Sequence, residues 1–219
     1  MPSSIFSHQA PGLALKVKFP KKFDGTALCL GALIPDFNFI LDFFLDINFY
    51  VFTHSIIGQF LWTIPITIIA TVIFTQYIGP LFAKITSKKS RFYAPLRYFG
   101  VDQWNHLKNK KYSSKNWFII CYSALIGGIT HILLDFPAHK YIVILYPWFV
   151  GLNFGFLQYS LINYGIITIG PFTIEANLTL YNLLWFAETI ITFIITLCYL
   201  RYIKKHDLIR IWYEEMYHK

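Results

Sequence analysis

Three stretches of this chain are apolar for long enough to cross a bilayer, which takes about 20 mostly apolar residues. They are "SIIGQFLWTIPITIIATVIFTQYIGP" (55–80), "NWFIICYSALIGGITHILLDF" (116–136) and "LTLYNLLWFAETIITFIITLCYL" (178–200). Pro65 predicts a kink in the first, and Glu188 interrupts the third. Two further stretches are apolar but broken. "ALCLGALIPDFNFILDFFLDI" (27–47) is interrupted by Pro35 and carries Asp36, Asp42 and Asp46. The uncharged stretch from Tyr141 to Ile174 is punctuated by Pro147, Gly151, Gly155, Gly165, Gly170 and Pro171. It predicts short interfacial or re-entrant pieces, with room for one extra helix near 152–164. The pattern therefore describes an all-α, polytopic membrane helical bundle: three spans and up to two further apolar or re-entrant helices. No linker or internal repeat divides it, so residues 1–219 read as a single membrane-embedded domain.

Composition agrees with a membrane class. The chain is 56% hydrophobic and 20% aromatic, with mean hydropathy +0.49. It is only 14% charged, against about 25% in soluble domains. Cys29, Cys121 and Cys198 each lie within an apolar run without a CxxC partner, which excludes a disulfide framework or zinc knuckle. The N-terminal stretch lacks a continuous apolar core with a small-residue cleavage site, so no signal peptide is expected.

The net charge of +8 is placed where topology needs it. Between 79 and 115 stand nine basic residues against one acid, Asp102, and the tail "RYIKKHDLIR" is basic too. Basic segments flanking apolar runs mark the cytoplasmic side and argue against a nucleic-acid partner. The first span then begins outside, just after His54, and the second ends outside at His131 and Asp135. One element conflicts. Lys16, Lys18, Lys21 and Lys22 favour the cytoplasm, whereas His8, close by, is wanted outside.

Ionisable residues in or beside membrane spans are costly and are functional candidates by default. In chain order they are His8, Asp36, His54, His131, Asp135 and His139. His131, Asp135 and His139 are four apart, so a helix would stack them on one stripe. Imidazole and carboxylate converging on one point are what a zinc-type ion requires. Plainer readings stand beside this: a polar helix edge, an interfacial anchor at His54, or a helix cap at Asp36. Asp42 and Asp46 repel each other and are expected to face water. His106, His206 and His218 fall in basic segments and read as solvated.

Four motifs, "FSHQA", "GALIPDF", "THS" and "GGITHILLD", resemble the series found in membrane-bound metal-dependent hydrolases. That group includes LexA-regulated inner-membrane hydrolases and a related F-S-H-x-A membrane family of unknown function. The resemblance covers roughly residues 4 to 147, including "LYP" at 145–147. The motif order is also similar to that of zinc-dependent phospholipase C and the P1-type nucleases. The likeness implies a first metal on Asp36, His54, His131 and Asp135. It also implies that Asp135 bridges to a second metal that takes His8, with His139 and Glu175 at a third position. The soluble enzymes use their processed N-terminal amine and a later His-x-x-x-Glu pair, which have no counterpart here, so one or two divalent ions, zinc or manganese, are expected.

The function this implies is a membrane-bound metal-dependent hydrolase acting on a phosphoester, such as a phospholipid or lipid-linked phosphate. Asp36 or Asp135 would be the catalytic carboxylate, and the site would face the extracytoplasmic side. The rivals are a non-catalytic protein that binds or senses a divalent metal, and a scaffold whose polar groups only join helices. Glu188 has its own plain reading as a carboxyl hydrogen-bonded between helices. Topology is checked by cysteine labelling: Ser87→Cys and Ser113→Cys should react from the cytoplasm and a cysteine near Thr53 from outside. Labelling of all three from one side would show that the first apolar stretch does not cross.

Overall fold

The computed structural model describes residues 6–45, 49–136, 141–148, 150–153, 155–169 and 172–215. Helices dominate, and three are long and apolar enough to cross a membrane. In chain order the elements are α1 (Gln9–Lys18), α2 (Gly25–Gly31), α3 (Asn38–Leu45), α4 (Tyr50–Thr53), α5 (Ile56–Thr86), α6 (Ser114–Asp135) and α7 (Leu180–Lys205). The spans are α5, α6 and α7, close to the stretches expected. α5 runs further than the apolar pattern suggests and passes through two π-helical turns, Gln59–Thr63 and Phe74–Ile78. These wider turns rotate the helix so that one face stays turned inward.

That face is polar. Gln59, Thr63, Thr67, Thr71 and Thr75 are all buried, while Phe60, Leu61, Ile69 and Tyr77 point outward. In lipid the apolar side chains need no shelter, and small hydroxyl residues let helices approach closely.

The stretch 27–47 does not cross as one helix. Pro35 sits in a 3₁₀ turn, Ile34–Phe37, between α2 and α3. The described part of 141–174 also departs from expectation. In place of a helix near 152–164 it forms two antiparallel hairpins. β1 (Tyr141–Leu145) pairs with β2 (Val150–Asn153), and β3 (Ser160–Ile169) with β4 (Phe172–Thr179). The β-branched and aromatic residues there favour strands, and Pro147 lies in the turn that follows β1.

The N-terminal segment resolves the conflict over its lysines. α1 and α2 form a helical hairpin packed against α7 and α6. Ten residues of α1 at a rise of 1.5 Å each separate His8, at one end, from Lys16 and Lys18 at the other. α2 returns the chain so that Asp36 lies back at the His8 end. The tip is locked by Asp24. Its carboxylate caps α2 through Ala27 N (2.8 Å) and pairs with Lys110 of the basic loop (2.8 Å). Its own N–H donates to Ser123 Oγ on α6 (2.9 Å). Lys16 Nζ closes the turn by donating to Pro20 O and Phe23 O. Burial alone would raise the Asp24 carboxyl, but Lys110 and then Lys16 outweigh it and hold it below its ordinary value.

Glycine sets the distance between α6 and its neighbours. A Cβ at Gly127 would lie 2.4 Å from Leu28 O and 2.9 Å from Ala32 N; one at Gly31 would lie 2.5 Å from Ala124 O. These are backbone contacts that no side-chain rotation relieves. Gly127→Ala should therefore push α2 off α6 and destabilise the protein by about 1–3 kcal/mol. It should also lower metal content, although every candidate ligand remains. Thermal unfolding in detergent with elemental analysis reads both, and Ile129→Ala on the outward face of α6 should change neither.

Candidate metal centre

His131 and Asp135 sit one turn apart at the end of α6, and His54 caps the C-terminus of α4 just before α5 begins. Asp36 comes from the 3₁₀ turn after α2. Three elements thus bring Asp36, His54, His131 and Asp135 together, each residue offering one ligand atom, all within 4.8 Å of one another. Both imidazoles are fully buried.

Hydrogen bonding on the far side of each ring decides what faces the centre. His131 Nδ1 lies 2.8 Å from Ala32 O, and His54 Nδ1 lies 3.1 Å from Tyr50 O. A carbonyl only accepts, so each Nδ1 carries the proton and donates it. That leaves Nε2 as the ligating nitrogen, the arrangement that orients metal-bound histidine. The two Nε2 atoms are 3.2 Å apart. Thr53 Oγ1, 3.0 Å from His54 Nδ1, and the Tyr50 ring, stacked on His54 with centroids 4.0 Å apart, steady that imidazole further.

The spacing matches a single tetrahedral ion. Ligands at 2.0–2.1 Å from zinc lie about 3.3–3.4 Å from each other by tetrahedral geometry. Here His54 Nε2 is 3.5 Å from Asp36 Oδ1 and 3.5 Å from Asp135 Oδ2. His131 Nε2 is 3.5 Å from Asp36 Oδ1 and 3.3 Å from Asp135 Oδ2. Two nitrogens and two carboxylate oxygens suit a borderline divalent ion. Their charge also balances one, because two buried carboxylates need either a dication or protons on both rings. The cluster could hold a metal ion on both grounds.

His8 stands beside the tetrad. Its Nε2 lies 3.2 Å from Asp135 Oδ1, so the two oxygens of Asp135 face different partners: Oδ1 the His8 side, Oδ2 the tetrad. His8, Asp135 and Glu188 line one small cavity against α7, with room for about a single water or ion. Glu188 was legible in the sequence only as an isolated carboxyl, since nothing in its spacing ties it to α6.

The other candidates fall elsewhere. His139 and Asp46 lie outside the described residues. Glu175 is a β4 position opposite Ile166, and its side chain lies outside the described residues. Asp42 accepts from Asn38 Nδ2 (2.6 Å) and Phe49 N (2.7 Å), bracing the chain between α3 and α4. His106, in the basic loop, pairs with Glu214 at 2.6 Å. Sequence reading missed Tyr50, Thr53 and Ala32, whose roles come from a ring face, a hydroxyl and a backbone carbonyl; only the i, i+4 spacing of Tyr50 and His54 was a visible signal.

Residues 1–215 match the family model DUF4184, a domain of unknown function. The chain belongs to that family. No curated protein and no solved structure matches it.

Elemental analysis of purified DUF4184 protein should find one or two equivalents of divalent metal, and His131→Ala or His54→Ala should lose the tightly held one. Because the ring nitrogens must shed protons to bind metal, zinc affinity of chelator-stripped protein should weaken from pH 8 to about pH 6. Metal-free wild type that takes up no zinc at either pH would refute the site.

Proposed function

We propose that the protein is a membrane-bound metal-dependent hydrolase of phosphoesters, with zinc or manganese as its ion. The observation that carries this reading is the pair of imidazole Nε2 atoms 3.2 Å apart, both Nδ1 positions committed to carbonyls, facing two carboxylates. The centre lies where α5 begins and α6 ends, at the end of the bundle opposite the basic loop. With that loop cytoplasmic, the centre faces the extracytoplasmic headgroup layer. A phospholipid or lipid-linked phosphate is the phosphoester available there.

Asp36, His54, His131 and Asp135 would hold the first ion. Asp135 Oδ1 and His8 would hold a second, with Glu188 the further carboxylate on that cavity. When bound, a divalent ion lowers the pKa of water to about 7 and polarises a phosphoryl oxygen. The side chains do the rest. Ala32 O and the Tyr50 carbonyl fix the rings, so the donor atoms need no rearrangement when substrate arrives. Asp36, with 16% side-chain exposure, is the most open of the tetrad and can take a proton from water entering at that side.

One feature supports a second reading. A tetrahedral set of four protein ligands is complete, as in structural zinc sites, whereas catalytic zinc keeps a position open. Non-catalytic binding or sensing of a divalent metal fits that geometry.

Asp135→Asn separates the readings. It keeps side-chain size, removes the charge and weakens both positions. It should insert normally, because insertion depends on the apolar spans, and lose chelator-sensitive phosphodiester or phospholipid hydrolysis by about 100-fold or more. His106→Ala should retain wild-type activity. Zinc- or manganese-loaded wild type that hydrolyses nothing on a broad phosphoester and acyl-ester panel would put the binding reading first.

A further inference from the structure

A second feature lies on the other half of the bundle. A cavity of about 330 Å³ opens between α5 and α7. These two spans lie apart, because α7 packs on α1. Phe74 of α5 and Leu200 of α7 form facing walls, Leu13 of α1 and Cys29 of α2 form the back, and Trp104 and Trp212 close the end near the basic loop. The lining is almost wholly apolar. The polar side chains on it are Gln9, Lys16, Thr26, Gln103, Thr196 and Tyr213. Lys16 Nζ donates to backbone carbonyls and lies 4.9 Å from the Trp212 ring centroid, and Thr196 Oγ1 donates to Phe6 O at 2.8 Å. Gln103 Nε2 donates to Asp207 Oδ1 at 2.8 Å, and Thr26 Oγ1 lies 3.3 Å from the Tyr213 hydroxyl.

We propose that this cavity is a binding site for one acyl chain of a membrane phospholipid. Folded proteins tolerate few voids larger than a water molecule. An apolar cavity gives water too few hydrogen-bonding partners to enter, and takes an apolar ligand instead. The cavity is partly open and is walled in part by two membrane-spanning helices, so an opening between those spans would meet lipid hydrocarbon. A methylene occupies about the share of one water in the liquid, roughly 30 Å³, so the volume suits a chain segment of about ten carbons. The indoles of Trp104 and Trp212 set its floor at the depth where such rings favour the membrane interface. The segment would therefore lie in the half of the bilayer on the basic-loop side. The chain it holds would also brace α7 against α1, the helix that carries His8. This proposal does not depend on the hydrolase reading, since it needs only the spans and the cavity.

The test uses the full chain reconstituted in bilayers, with Trp62, Trp104, Trp117, Trp148 and Trp185 replaced by Phe so that buried Trp212 reports alone. Phospholipid brominated near mid-chain should quench most of its fluorescence, because only a chain inside the cavity touches that ring. Cys29→Phe, which fills the back wall, should abolish the quenching while metal content stays as in the parent. A single-Trp104 version gives the same readout if the Trp212 reporter does not fold. Quenching by aqueous acrylamide in place of bromolipid would show a water-filled cleft and overturn the proposal. Bromolipid quenching that survives Cys29→Phe would place the contact outside the cavity and overturn it as well.

Discussion

A histidine has one proton to place when neutral, and in this protein the two fully buried histidines, His54 and His131, place it outward. His131 gives its Nδ1 hydrogen to Ala32 O and His54 gives its own to Tyr50 O. The two Nε2 lone pairs are then aimed at each other across 3.2 Å, with the carboxylates of Asp36 and Asp135 alongside. Such an arrangement repels itself unless positive charge sits at its centre. The protein must therefore hold three elements together against that repulsion until a cation or protons arrive. The rest of the fold follows from this constraint.

Close approach is achieved by leaving side chains out. Gly127 and Gly31 let α6 and α2 meet backbone to backbone, which puts Ala32 O within reach of His131 one turn beyond Gly127. The inward face of α5 is made of threonine and glutamine, and Gln59 Nε2 donates to Thr53 O beside His54. A soluble bundle would bury leucine there. In lipid, burial of apolar groups gains nothing between helices, so packing and hydrogen bonding decide which face turns inward.

The N-terminal hairpin shows how a short segment serves both ends of the bundle. α1 carries His8 at the centre and Lys16 at the basic end, while α2 carries Asp24 at the basic end and leads to Asp36 at the centre. The Asp24–Lys110 pair and the Asp24–Ser123 bond fix the tip to the basic loop and to α6. Removing Asp24 would leave Lys110 buried without its counterion, a larger loss than the pair itself contributes. The tip thus holds two ligands in place from a distance, through helices too short to slide.

The sequence by itself determined the class, the spans and the residues from which the candidate metal cluster is drawn. Length and hydropathy are additive properties of a stretch, so α5, α6 and α7 were visible without knowing what they touch. Asp36, His54, His131 and Asp135 were visible because charge is expensive in an apolar chain and each stood out singly. Only the tertiary structure decided the rest. The lysines of α1 conflicted with His8 until the hairpin showed that one helix can reach both ends. The stretch after α6 read as re-entrant or helical pieces because its apolar runs lack a clear period; pairing between strands, a non-local interaction, made it hairpins. The orienting carbonyls of Ala32 and Tyr50 have no signature, since every residue carries a carbonyl and only the packing of α2 and α4 selects these two. Glu188 came to the cavity beside His8 and Asp135 through the docking of α7 on α1, a contact between residues far apart in the chain that no local pattern encodes.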